Sequence, residues 1–231
     1  MLKDILIVIT GGKSGLGQTI AKKLHENLAT VITTSRENPF NHNKIRLNAI
    51  NHQYLDVTNA DSVNKFFLWL SHQSLKPSVL INNAGIGIFK PIIEISLEEW
   101  NSIINTNLTG AFLCSKHAYK SMSKSGGGRI INIGSVVELA GIEDNAAYAA
   151  SKSGLRAMSF VISQEGRTAN VTSTHITLGA VYSDIWKNRA GFNKEDMLDI
   201  EHVSEIIRYI ASLPFNIRID NLEITPSTKI L

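Results

Sequence analysis

A single cysteine, Cys114, stands in 231 residues, which excludes an internal disulfide framework and fits a reducing compartment. No apolar run approaches the roughly 18 to 20 residues that a membrane-spanning helix needs. The N-terminal MLKDILIVIT has one lysine and a short apolar stretch but no small-residue cleavage site after it. It reads as a strand rather than a signal peptide, and the chain as cytoplasmic. Excess charge of one sign is missing too: a formal net charge of +3, without clustered Lys and Arg, gives no basis for nucleic-acid binding. The seven histidines never fall into a metal-ligand spacing, so no metal site is expected. There is no internal linker, repeat or low-complexity segment. With 43% hydrophobic and 19% charged residues, the chain reads as one globular domain over 1–231. Cys114, in the helix-like GAFLCSKHAY, is read as a core residue rather than a reactive thiol.

Short β-rich runs alternate with longer helical ones from the start, and this predicts an α/β fold: a Rossmann-type doubly wound parallel sheet of about seven strands in three layers. ILIVIT (5–10) is apolar throughout, as suits a central strand buried on both faces. Helix 15–28, strand TVITTS (30–35) and strand HQYLDVT follow; Pro39 and the asparagines after it argue against a helix between those strands. Then come helix 59–74, strand SVLINNAG, helices 96–107 and 109–124, strand RIINIGS, helix 147–165, strand VTSTHITLG, helix 201–213 and strand NLEIT. SGGGR (125–129) reads as a plain turn. Doubly wound sheets take ligands beyond the carboxyl ends of their strands, so the residues just after each strand are the ones to search.

Thr10-Gly11-Gly12-Lys13-Ser14-Gly15-Leu16-Gly17 joins the first strand to the first helix. Gly11 permits a tight turn, Gly15 a close approach of backbone to pyrophosphate, and Gly17 close helix–strand packing, while the helix start turns its free N–H groups to the anion. The second strand ends in Ser35-Arg36 where an NAD-preferring protein usually has an acid. Arg36, helped by Lys13, suits a 2′-phosphate, so NADP(H) is favoured over NAD(H); a solvated surface arginine is the plain alternative. Asp56, followed by Val57, is a candidate acceptor for adenine and an equally good N-cap for the next helix. Asn82-Asn83-Ala84-Gly85 would let the adenosine side lie on the backbone, although a simple Asx turn explains it as well.

Tyr148 and Lys152 are four apart and project from one helix face. Tyrosine titrates near 10, too high for neutral acid/base work, and a nearby ammonium favours its phenolate. Such a pair is common on protein surfaces. Here it accompanies Ser135 after RIINIG, Asn107 at a helix end, and the glycine turn. On TGGKSGLG, LDVT, NNAG, N-x-N-L-T-G, GS at 134–135 and YAASK, the chain resembles the short-chain dehydrogenase/reductase family over essentially its whole length. The resemblance implies Tyr148 as general acid in reduction and base in oxidation, with Lys152 holding the phenolate and the nicotinamide ribose. It implies Ser135 on the substrate oxygen and Asn107 keeping a water in a proton relay. It also implies a cofactor site of Thr10, Gly11, Lys13, Ser14, Gly15, Leu16, Gly17, Ser35, Arg36, Asp56, Val57, Asn83, Ala84, Gly85, Tyr148, Lys152, Gly179, Val181 and Ser183.

The segment after the sixth strand departs from the family pattern. It reads Leu178-Gly179-Ala180-Val181-Tyr182-Ser183, with leucine in place of the usual proline, which predicts a less restrained loop. Residues 184–200 would form a substrate lid, with Trp186, Phe192 and Met197 as apolar contacts and Lys187 and Arg189 as anion contacts; Glu138, Leu139 and Ile142 could line the pocket as well. The expected activity is NADP-dependent hydride transfer between nicotinamide and a small-molecule carbonyl or alcohol. A 3-oxoacyl-[acyl-carrier-protein] reductase is the alternative among enzymes, and a catalytically idle NADP-sensing protein the alternative outside them. The resemblance also implies a homotetramer or homodimer formed through helices 96–124 and 147–165.

Overall fold

The computed structural model describes residues 2–37, 44–182 and 194–227. Seven strands form one parallel sheet: β1 (Leu6–Thr10), β2 (Thr30–Ser35), β3 (Ile50–Tyr54), β4 (Val79–Asn82), β5 (Gly128–Ile133), β6 (Val171–Leu178) and β7 (Asn221–Ile224). Their order across the sheet is β3-β2-β1-β4-β5-β6-β7. Side chains alternate between faces, so Ile7 and Ile9 of β1 enter one core while Leu6 and Val8 enter the other. The first core is closed by α1 (Gly15–Glu26) and α6 (Ile200–Ser212), through Ile20, Leu24, Val203 and Ile207. The second is closed by α2 (Ala60–His72) and α4 (Gly110–Ser123), through Phe66, Phe67, Cys114 and Met122. After β3 the chain crosses to the other side of β1 and continues outward from β4. The carboxyl ends of β1 and β4 therefore flank the switch point where doubly wound sheets take their ligands.

Several expected elements are redrawn, and the fourth and fifth strands stop at Asn82 and Ile133, short of the NAG and GS that were expected to close them. The third strand runs Ile50–Tyr54 rather than through LDVT: it is the sheet edge, with β2 as its one partner, and beyond Tyr54 the chain turns at Asp56 to enter α2. The two helices expected at 96–107 and 109–124 form one helical run, α3 (Leu97–Ile104) passing into α4 through a π turn at Asn105–Thr109. A capping box of Ser96 and Glu99 starts the run. The long helix α5 (Ala146–Glu165) lies against β6. A buried polar chain runs from α4 and β4 through β5 to α5 and β6: Asn82 donates to Asn132 and Ser115, and Asn132 donates to Ser159 and Ser173. Among the described residues no helix is long and apolar enough to cross a membrane, and no group of His, Cys, Asp and Glu is placed to hold a metal ion.

Candidate active site

The turn after β1 needs its glycines for separate reasons. Gly11 has φ +63, and a methyl there would lie 2.8 Å from Ala84 Cα. Gly15 has φ +52 and open space where a side chain would stand, a cradle that any larger residue would fill. Gly17 meets the Asn83 amide and Gly11 O. Leu16 packs into the first core. The turn is tied to the end of β4. Thr10 Oγ1 accepts the N–H groups of Asn83 (3.1 Å) and Ala84 (3.0 Å), and the Asn83 amide donates to Thr10 O and Gly11 O. Ser14 makes no side-chain cap on α1, leaving the first N–H groups of that helix for an anion. A cavity of about 310 Å³ opens here, lined by Gly11, Lys13, Ser14, Ser35, Arg36 and Glu37. Glu37, absent from the sequence reading, forms an ion pair with Lys13. Arg36 has no ion-pair partner among the described residues. These residues fit a dinucleotide: an open glycine cradle, an uncapped helix start and a cationic rim.

Towards the other end of the sheet, Tyr148 lies in the first turn of α5 and Lys152 one turn on. Lys152 is 5% exposed, and its ammonium donates to Ile133 O at 2.7 Å and lies 5.5 Å from the Tyr148 ring centroid. The Phe89 ring meets the Tyr148 ring edge-on with centroids 5.8 Å apart. Gly85 lies beside both groups, and a methyl there would make ordinary contacts, 3.8 Å from Lys152 Nζ and 3.4 Å from Asn107 Oδ1. Both N–H groups of the Asn107 side chain are used. Its carbonyl accepts Ile86 N–H (2.8 Å), and its amide donates to Ile86 O (2.9 Å) and Ser151 Oγ (3.0 Å). Ser151 in turn donates to Tyr148 O at 2.7 Å. A water held by Asn107 would therefore donate to an oxygen, Oδ1 or the main-chain carbonyl, the latter within the π turn, where helical hydrogen bonding is already irregular.

Ser135 follows β5 by two residues and caps a short 3₁₀ turn, Val136–Glu138. Glu138 does not line an open pocket as expected. It turns inward, with its side chain and that of His175 fully buried. Its carboxylate accepts from Thr177 Oγ1 (2.5 Å), His175 Nε2 (2.7 Å) and Ser135 N–H (3.4 Å). Gly134 makes room for this: a methyl there would lie 2.6 Å from His175 Cε1 and 2.9 Å from Glu138 Oε2. The Ser-x-x-Glu spacing was the available local signal for the cap. His175 and Thr177, two apart on one face of β6, had none. Leu139 stays 45% exposed.

The adenosine side and the segment after β6 also depart from expectation. Asp56 is not the cap of α2, a role taken by Asn59, whose side chain accepts from Ser62 N–H. Asp56 Oδ1 accepts from the backbone N–H and hydroxyl of Thr58, and Val57 packs against Gly110. After β6 the lost proline at Leu178 does not free the chain as far as Tyr182. Gly179 donates to Ile224 O at 2.9 Å and rests on Pro226, and Val181 bridges to Leu198. Lys194 Nζ lies 5.2 Å from the Tyr182 ring, and Met197 is half-buried. Ser183, Trp186, Lys187, Arg189 and Phe192 lie outside the described residues. Cys114 is a core residue, its thiol pushed up to about 12 by burial.

The chain is similar to proteins with the same layout. It is 30% identical to an uncharacterized oxidoreductase of Thermotoga maritima, over 87% of this chain and 81% of the relative. It is 35% identical to the 3-oxoacyl-[acyl-carrier-protein] reductase MabA of Mycobacterium avium, over 78% and 68%. Among solved structures it superposes with a TM-score of 0.85 on an alcohol dehydrogenase from the archaeon Thermococcus sibiricus complexed with 5-hydroxy-NADP, at 25% identity and 97% coverage of both chains. Serine dehydrogenase from Escherichia coli superposes at 0.83, with 25% identity and 97% and 99% coverage. Residues 6–193 match the family model described as short chain dehydrogenase. The seven-stranded parallel sheet, the glycine turn and the Tyr148–Lys152 face thus occur in a chain that belongs to the short-chain dehydrogenase/reductase family and is an oxidoreductase.

Proposed function

We propose that this enzyme is an NADP-dependent carbonyl reductase that also runs in reverse as an alcohol dehydrogenase. The supporting observation is the buried Lys152 ammonium, held by Ile133 O and facing the Tyr148 ring at the carboxyl end of β5. When bound, the nicotinamide cofactor supplies or receives the hydride. Tyr148 delivers the proton to the substrate oxygen in reduction and takes it back in oxidation, and Lys152 stabilises the phenolate that alternates with the phenol. Ser135 donates its hydroxyl to the same oxygen as negative charge develops on it. Its backbone is steadied from behind by Glu138. Asn107 fixes the segment after β4 through Ile86 and keeps the water that returns protons to Lys152.

The glycine turn and Thr10, Asn83, Ala84 and Gly85 would hold the dinucleotide, with Asp56 and Val57 at the adenine and Gly179, Val181 and Ser183 at the nicotinamide. NADP is favoured because Arg36 and Lys13 edge the cavity after β2, and the archaeal neighbour was solved with an NADP derivative. Reduction of 3-oxoacyl thioesters is a second reading, favoured by the similarity to the mycobacterial reductase. Phe112 (47% exposed) on α4 and Val161 (55% exposed) on α5 support self-association through those helices. The test is NADPH oxidation over ketones, diketones and 3-oxoacyl thioesters, with Tyr148→Phe as control. Turnover undiminished in the Phe variant would refute the assignment of Tyr148. Normal NADPH binding without turnover on any of them would indicate an NADP-sensing protein.

A further inference from the structure

We propose that His52 sets how tightly the 2′-phosphate of NADP(H) is held, by deciding which way the Ser35 hydroxyl points; the inference rests on the NADP reading above. The β2–β3 register puts His52 opposite Thr33. The ring lies between two hydroxyls, with Nδ1 3.0 Å from Thr33 Oγ1 and Nε2 2.9 Å from Ser35 Oγ. Thr33 has one hydroxyl hydrogen and gives it to Asn51 O at 3.2 Å, so its oxygen is left to receive an N–H from Nδ1. In the neutral ring Nε2 then carries the lone pair, and Ser35 must donate to it. Ser35 Oγ also accepts the Glu37 N–H at 3.3 Å. Its hydrogen is thus turned away from the cavity that Ser35 lines together with Lys13 and Arg36.

A second proton on the ring reverses this. Nε2 becomes the donor, the Ser35 hydrogen swings towards the cavity, and one positive charge is added behind it. A phosphate dianion offers only acceptors, so it favours the protonated ring and is favoured by it. The uncharged 2′-hydroxyl of NAD(H) both donates and accepts and gains little. Burial, and then the charge of Lys13, hold His52 below the usual histidine range, so near neutrality the free ring is uncharged and the proton arrives with the ligand. Lys13 faces the ring from the turn before α1, and Glu37, after β2, stands against Lys13. Arg36, next after Ser35, lines the same cavity as Lys13 and Glu37.

The test is the dissociation constant of NADPH and of NADH, by fluorescence titration from about pH 8.5 to about 6.5, for the parent, His52→Gln and Ser35→Ala; below that range the phosphate itself protonates, near 6. Glutamine keeps an N–H towards Ser35 but never titrates. The parent should bind NADPH about threefold more tightly at the lower pH, the part reached at about pH 6.5 of the about tenfold that raising His52 by about one pKa unit gives in full only well below its free value, and NADH less than about 1.5-fold more tightly. The NADPH slope should vanish in His52→Gln and shrink in Ser35→Ala. Calorimetry in buffers of different ionisation heat should find more protons taken up by the parent than by His52→Gln. An NADPH preference whose slope is the same in all three proteins overturns the role of His52 and leaves the NADP reading standing. Equal affinity of the parent for both cofactors at every pH overturns the NADP reading and this inference with it. Unchanged NADH affinity reports an intact fold, and if His52→Gln does not fold, an undiminished slope in Ser35→Ala overturns the proposal by itself.

Discussion

Replacing Glu138 by glutamine tests whether the buried carboxylate behind Ser135 holds the strand ends together. The side chain keeps its volume but loses one acceptor and gains two N–H donors. Three donors meet the carboxylate, two of them at Oε1, so the amide oxygen of glutamine keeps Thr177 and His175 while its N–H groups face the Ser135 N–H. Leaving one buried donor unpaired costs about 1 to 3 kcal/mol, and two charge-assisted bonds become neutral at about 1 kcal/mol each. Relief from burying a charge offsets part of that loss, by about 1 to 2 kcal/mol here. The net destabilisation is about 2 kcal/mol, a fall in melting temperature of about 4 to 8 °C for a chain of this size. Thermal unfolding followed by circular dichroism measures it. Because Ser135 loses its backbone anchor, turnover should fall about tenfold while NADPH affinity changes little, as expected for an interaction felt mainly in the transition state. A melting temperature equal to or above that of the parent would refute the reasoning, since it would mean that the carboxylate gains nothing from its three donors.

Tyr148→Phe should lower kcat by about 10²- to 10⁴-fold with NADPH affinity retained, in steady-state kinetics and fluorescence titration. Arg129 is fully buried in β5, its guanidinium depressed to about 10 by burial and donating to Leu213 O, Pro214 O and Ile217 O beyond α6. Arg129→Ala should therefore cost about 3 kcal/mol or more, seen as a lower denaturation midpoint. Cys114, with its thiol near 12, should resist an aromatic disulfide reagent at about pH 8, where its thiolate fraction is about one in 10⁴; rapid stoichiometric labelling of the folded protein would contradict its burial. Phe112→Lys should shift the mass measured by light scattering towards the monomer if α4 lies in the subunit contact, and an unchanged mass would exclude that helix.

Much of the architecture follows from local pattern alone. The unbroken apolar ILIVIT, the β-branched TVITTS and the helical spacing of 59–74 each predict their element because period and burial are written into neighbouring residues. Gly11 and Gly15 signal a turn with positive φ for the same reason, and Tyr148 and Lys152 share a face because they are four apart on a helix. Boundaries were less legible. The π turn through Asn107 joins α3 and α4 into one run, and β3 stops at Tyr54, level with the end of its partner β2 at Ser35. Partnerships were not legible at all. Glu138 finds His175 and Thr177 from 37 and 39 residues away, His52 reaches Ser35 across a strand pair, Lys13 is answered by Glu37, and Pro226 supports Gly179 where a local proline was missed. Sequence by itself determined the order of the elements and the chemical groups available at the strand ends. Only the tertiary structure decided which of those groups meet, because a hydrogen bond between distant residues leaves no periodic trace in the chain.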